Sequence, residues 1–296
     1  MHTPPAKLAT HSKYSPSDRT KSKVVAARSA VRREQLEPIR NAIRQMGRMS
    51  FGSASNKASQ LCAAAKLARW ARVGVLTDAR TQDAYLTRDR FVAEIGLIAL
   101  EVEDSMAEDQ RQDVAKWLVA IAGDIEAFYR YRAGPKSRRN NHRYWAGLAV
   151  AASARFAADD GGWAFAQRSF EVGACQINSE GLLPLETDRG SRAFQYHAYA
   201  ARPLLALAGL LRAHGAELAC ADGLTRLTEV VAVGLEDATI FKAKSGRAQK
   251  PLGRETVYVA PLRMNALGIL PGILPGILPA PSGNGLLLAG LDEVAQ

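Results

Sequence analysis

Cysteine is scarce in this chain. Only Cys62, Cys175 and Cys220 occur among 296 residues, far apart and odd in number. No Cys-x-x-Cys knuckle can form, no even-numbered disulfide framework is offered, and the three are simplest read as small buried hydrophobes. Histidine is equally sparse. The five, His2, His11, His142, His197 and His214, never pair at ligand spacing, which leaves no zinc signature. There is no run of eighteen apolar residues, so a membrane-spanning helix is not expected. Phosphate-cradling glycine loops, dinucleotide fingerprints, the Gly-x-Ser-x-Gly elbow and His-Glu-x-x-His are all missing, which removes the common nucleotide, serine-hydrolase and zinc chemistries. Residues Met1 to Thr10 hold two prolines and no apolar stretch, so no secretory signal is visible.

What is present is a large apolar fraction and a basic excess. Apolar residues make up 47% of the chain, charged residues 23%, and the net charge is +10. This suits one large or two small globular domains and argues against a disordered or fibrous chain. The charge is uneven. Residues 1–90 carry 18 Lys and Arg against 6 Asp and Glu, residues 91–129 carry 2 against 9, and residues 130–145 carry 6 against none. Two basic blocks around an acidic one draw a polyanion, and by charge alone nucleic acid stands first.

Helical spacing runs through most of the chain. Ala27 and Val31, then Ile39, Ile43 and Met46, recur at threes and fours, with Pro38 expected to break or kink the run. Phe91, Ile95, Ile98 and Val102 repeat the pattern, as do Val114, Trp117, Ile121, Ile125 and Phe128. Further helical stretches are expected at 142–158, 162–177, 192–214 and 224–235, separated by short turn signals such as Asp159-Asp160-Gly161-Gly162. Helices in sequence with short loops build bundles, solenoids or toroids. Strand-like alternation appears only at Glu255 to Val259, and Gly-Ile-Leu-Pro occurs three times between Gly268 and Pro279, where the prolines forbid a helix. The expected organisation is a mobile basic N-terminal or lid segment at 1–22, a helical domain at 23–262 and a low-complexity tail at 263–296.

Two clusters are dense enough to carry chemistry. Asn140-Asn141-His142-Arg143-Tyr144-Trp145 follows the basic loop Arg138-Arg139. One of its asparagines is expected to cap a helix, and Tyr144 and Trp145 to begin its buried face. The second cluster runs from Glu186 through Arg189, Arg192, Tyr196, His197 and Tyr199 to Pro203-Leu204. On a helix Arg192 and Tyr196 share a face, the turn before it can bring Arg189 near that face too, and a cation beside a phenol favours phenolate.

Together these clusters resemble the signature of the alginate lyases of polysaccharide lyase family 5: Asn-Asn-His-x-Tyr-Trp at 140–145, then Glu-x-x-Arg and Tyr-His-x-Tyr-Ala-x-x-Pro-Leu between Glu186 and Leu204. The order and separation match too, and Ser12-Lys13-Tyr14 is similar to the family's lid segment, here short. The resemblance implies an all-α fold, an incomplete (α/α) toroid or barrel of antiparallel helices. It implies β-elimination on a polyuronate, most simply poly-β-D-mannuronate, with no metal or cofactor. By motif position Asn141, His142 and Arg189 are expected to hold and neutralise the uronate carboxylate. Tyr196, alone or with His142, is expected to move the protons. Lys13, Tyr14, Arg143, Tyr144, Trp145, Arg192 and Tyr199 are the remaining expected substrate contacts, and His197 is expected to be structural.

The partner implied is an anionic polysaccharide rather than nucleic acid or a membrane, bound by a monomer in the periplasm. Two other readings stay open on the sequence: a lyase for another acidic glycan such as poly-β-glucuronate or hyaluronan, and a non-catalytic exopolysaccharide-binding protein.

Overall fold

A computed structural model of the chain describes residues 4–250, apart from 19, 22 and 52–54. The Glu255–Val259 alternation and the Gly-Ile-Leu-Pro tail lie outside the described residues. Ten helices follow one another among the described residues: α1 (Ala26–Phe51), α2 (Lys57–Arg72), α3 (Gln82–Glu101), α4 (Glu108–Tyr131), α5 (Asn141–Ala157), α6 (Trp163–Ala174), α7 (Pro184–Thr187), α8 (Ala193–Ala213), α9 (Ala221–Glu236) and α10 (Thr239–Ser245). Two-residue strands β1 (Lys7–Leu8) and β2 (Asp78–Ala79) pair in parallel.

The helices start where the sequence supplies acceptors. Asn56 caps α2, Thr81 caps α3 and Asn140 caps α5, each taking an orphan N–H of its first turn. Helix α5 lies at the centre and packs against α3, α4, α6 and α8. Its run of alanine and glycine permits this, because small side chains let four neighbours approach at once. At the α3–α5 crossing a Cβ on Gly96 would stand 2.7 Å from that of Ala152, so no larger residue fits.

Three details differ from the sequence-based expectation. Helix α1 runs unbroken through Pro38, because that residue is exposed and water can take the carbonyl left free one turn earlier. Its first turns project from the body, so Val31 is 56% exposed and the buried stripe begins at Leu36. The third concerns the cysteines. Cys175, after α6, and Cys220, before α9, form a disulfide with 5.2 Å between their Cα atoms, and Cys62 is exposed. Forty-five residues separate the pair in sequence, a distance the chain closes only through tertiary packing.

Candidate active site

A cleft of about 490 Å³ opens where the N-terminal ends of α3, α5 and α8 meet the N-terminal segment. Residues from five separate stretches line it, among them Lys13, Tyr14, Asn141, His142, Arg189, Tyr196 and Tyr199.

Its geometry starts at the α5 cap. The Asn140 carbonyl oxygen of the side chain accepts from the His142 N–H at 3.1 Å, which fixes the entry of the chain and sets Asn141 and His142 on the first turn. Asn141 is fully buried, and both its backbone N–H and its side-chain amide donate to Glu186 Oε1 at 2.9 Å. Glu186, itself fully buried on α7, also faces Arg189 Nε at 3.5 Å through Oε2. Arg189 in turn lays its guanidinium over the Tyr196 ring, 4.4 Å from the centroid. The loop carrying Arg189 is latched on its far side, where Gln249 donates to the Gly190 carbonyl at 3.0 Å and accepts from Phe194 N–H at 3.0 Å. Gly190 there has a φ of +59°, a conformation glycine adopts without steric cost.

The cover comes from the N-terminal segment. Parallel pairing of β1 with β2, a hydrogen bond from Thr81 Oγ1 to the Thr10 carbonyl, and an antiparallel bridge between Tyr14 and Val24 anchor it. Asp18 closes its turn by accepting from the backbone of Thr20 and Lys23 at 3.0 and 2.6 Å. The result brings the Tyr14 and Tyr196 hydroxyls to 2.8 Å. Burial, and then its neighbour Tyr196, push the Tyr14 phenol well above its usual range, so it stays protonated and can donate to Tyr196.

The cleft is strongly cationic. Seven lysines and arginines line it against two aspartates. Lys13 is 5% exposed and its ammonium, 5.4 Å over the Tyr14 ring, has no hydrogen-bond partner among the described residues; burial, followed by Arg192, Arg32, Arg40 and Arg90, brings it down to about 7. His142 is pushed down to about 4 by burial and then by Arg189, and is neutral at neutral pH. Asp83 and the Leu86 backbone pull the other way, favouring the charged ring, but by less. Among the described residues no three His, Cys, Asp or Glu side chains converge as a metal cluster. Nor is any described helix long and apolar enough to cross a membrane.

The four residues expected to do chemistry, Asn141, His142, Arg189 and Tyr196, therefore face one cleft together with Lys13, Tyr14 and Tyr199. The other four expected contacts stand outside its lining. Arg143 lies with its guanidinium 3.8 Å from the Phe165 ring centroid, a packing contact on the opposite side of α5. Tyr144 is buried and donates to the Arg139 carbonyl at 3.0 Å. Trp145 is buried against Tyr199, with ring centroids 5.3 Å apart. Arg192 precedes α8 and lies 5.7 Å from the Tyr14 ring, so of the two arginines expected near Tyr196 it is Arg189 that lies over the ring. The chain is in a 3-10 turn from Gly190 to Arg192, and the helical face begins one residue later. Glu186 and Gln249 were not singled out from the sequence; only the i,i+3 spacing of Glu186 and Arg189 pointed to the former.

Comparison with known proteins agrees. Residues 87–240 match the alginate lyase family model. The chain is similar to a polysaccharide lyase of Stenotrophomonas maltophilia, 30% identical over 243 residues that span 79% of this chain and 72% of that one. It is similar to an alginate lyase of Pseudomonas putida, 30% identical over 253 residues, 82% of this chain and 68% of the other. Among solved structures, alginate lyase A1-III from Sphingomonas species A1 superposes with a TM-score of 0.71 at 18% identity, covering 98% of this chain and 86% of that one. A variant of alginate lyase A1-III complexed with a tetrasaccharide gives 0.75 at 17% identity, covering 98% and 85%. These likenesses identify the helical array as an α/α toroid.

Proposed function

The chain belongs to the alginate lyase family and is a polysaccharide lyase, and from that premise we propose that it cleaves alginate, at poly-β-D-mannuronate, by β-elimination. The single observation that carries the reading is the convergence of Tyr196, His142, Asn141 and Arg189, from distant stretches of chain, on one cationic cleft.

The reaction removes the proton on C5 of a uronate. The C5–H electron pair becomes the C4–C5 double bond, the C4–O4 bond breaks, and the departing oxygen takes up a proton. The C5 proton is weakly acidic because the neighbouring carboxylate is already negative, so the largest electrostatic task is to quench that charge. Arg189 and Asn141, with His142, do this, the guanidinium fork matching a carboxylate. Tyr196 takes the C5 proton, its ring held 4.4 Å beneath the Arg189 guanidinium. The same phenol then returns a proton to O4. In the guluronate epimer the C5 hydrogen lies on the opposite face, and the neutral imidazole of His142 is the base suited to it. Lys13 and Tyr14 close over the chain from the N-terminal segment, and the cleft's basic excess attracts the polyanion.

We place the enzyme in the periplasm, as a monomer. The Cys175–Cys220 disulfide supports an oxidising compartment. Cell fractionation finding the native protein only in cytosol would overturn the compartment; sedimentation finding a stable dimer would overturn the monomer.

The test is a substrate panel read by absorbance in the conjugated-alkene band. Polymannuronate is expected to give the fastest rise, with polyguluronate, polyglucuronate and hyaluronan slower. A faster rise on another glycan would reassign the substrate, and tight binding with no rise on any would reassign the protein as a binding module.

A further inference from the structure

Glu186 is unusual among the residues around the cleft because it lines none of it, yet touches two groups that do. Its carboxylate is fully buried. One oxygen accepts from both the backbone and the side-chain N–H of Asn141 at 2.9 Å, and the other faces Arg189 Nε at 3.5 Å. Burying a carboxylate is costly unless it is paired and hydrogen-bonded. Among the described residues its carboxylate meets Asn141 and Arg189, two of the groups proposed to neutralise the substrate carboxylate.

We infer that Glu186 is a positioning residue, which locks Asn141 and Arg189 into one unit from beneath and sets the charge that Tyr196 feels. The inference rests on the lyase reading and deepens it. Two consequences follow from donor and acceptor chemistry. Because two donors of Asn141 converge on one oxygen, the amide of Asn141 can present only its nitrogen to Glu186; its own carbonyl oxygen, buried and without a protein partner, is turned away. And because the Glu186 carboxylate offsets part of the Arg189 charge, Tyr196 sits beside a partly compensated cation rather than a bare one. The other titratable groups about Arg189 are Tyr14 and His142.

Glu186→Gln separates the two duties. The Gln carbonyl must take the Asn141 side, where two donors demand an acceptor, which points its NH₂ at Arg189 Nε, donor against donor. Asn141 is held and Arg189 is released. Glu186→Ala releases both. In the alkene assay kcat is expected to fall roughly 10- to 100-fold for Glu186→Gln, the range seen when outer partners of a functional group are removed. Glu186→Ala is expected to fall further, with KM in each case within a few-fold of wild type. A residue that served packing alone would not lower kcat of the folded protein while leaving KM in place.

A second readout needs no activity. In the folded wild type and in Glu186→Gln the Asn141 backbone amide should exchange slowly with deuterium, whereas in Glu186→Ala it should exchange fast. If wild-type protein forms no double bonds on any polyuronate, the lyase reading fails, and the exchange result alone decides the positioning role. Wild-type kcat in both variants, or equal exchange of Asn141 in all three proteins, would overturn it.

Discussion

Two clusters in this molecule use the same residue types to opposite ends. Between α3 and α4, Tyr129 donates to buried Asp89 at 2.8 Å, and buried Arg88 reaches Asp124 at 2.8 Å. At the cleft, Tyr196 lies under Arg189, which faces Glu186. The first cluster has partners fixed on packed helices. In the second, the hydroxyl partner of Tyr196 is Tyr14, on a segment anchored by a two-residue strand pair and a bridge. One phenol is therefore a strut, and the other makes a bond that a substrate can replace. The histidines divide in the same way. His197 and His142 are both pushed down to about 4, foremost by burial. His197 uses both ring nitrogens on backbone, accepting from Leu183 N–H at 2.8 Å and donating to the Ala193 carbonyl at 2.7 Å. His142 instead lines the cleft, where a sugar can reach it. A shifted pKa alone does not mark a catalytic group; a place on the cleft does.

Substitutions can break this contrast. Tyr196→Phe is expected to lower kcat by roughly 10³-fold or more, with far-UV circular dichroism unchanged, since it removes the proton carrier and little packing. Next in size is the double change Cys175→Ser with Cys220→Ser. It should lower unfolding free energy by about 2–4 kcal/mol in denaturant melts, without changing kcat of the folded fraction. Tyr129→Phe should cost about 1–3 kcal/mol, because Asp89 loses its donor in a buried site, and should leave kcat unaltered. If Tyr129→Phe abolished turnover, or Tyr196→Phe only destabilised, the distinction between the clusters would collapse.

Two smaller effects depend on pH. Burial pushes the Asp89 carboxyl up to about 7 against the pull of Arg88 and Tyr129. A carboxyl raised above its unfolded value takes up a proton on folding, so its contribution is complete below the unfolded value of 3.8 and is lost as pH rises towards 7. Thermal melts from pH 4 to 8 should show wild type losing stability across that window relative to Asp89→Asn; parallel curves would contradict the assignment. Lys13, brought down to about 7, is charged below that pH and neutral above it. KM for a polyuronate should rise a few-fold between pH 6 and 8.5 in wild type and less in Lys13→Arg, as measured by initial rates.

Much of this was legible in the sequence, for identifiable reasons. The 3.6-residue spacing of Val114, Trp117, Ile121, Ile125 and Phe128 gave α4, and all five are buried. Asn140 was a capping residue and Tyr144 and Trp145 did turn inward, as the helical period requires. Tyr144 and Trp145 share the face of Asn141 and His142 but stand one turn further along α5, where the helix is packed on its neighbours and the cleft has ended. The Cys175–Cys220 bond and the burial of Glu186 were not legible, because both depend on what distant segments bring alongside. A Glu-Arg pair at i,i+3 reads as an exposed ion pair until the cap of α5 arrives above it.

The most direct test of the central claim is the initial rate of alkene formation on polymannuronate by wild type, Tyr196→Phe and His142→Ala, each verified as folded by circular dichroism. The account predicts a steady rise in absorbance for wild type and its loss in both variants. Wild-type rates in both would show that this phenol and imidazole do not act on the sugar between them.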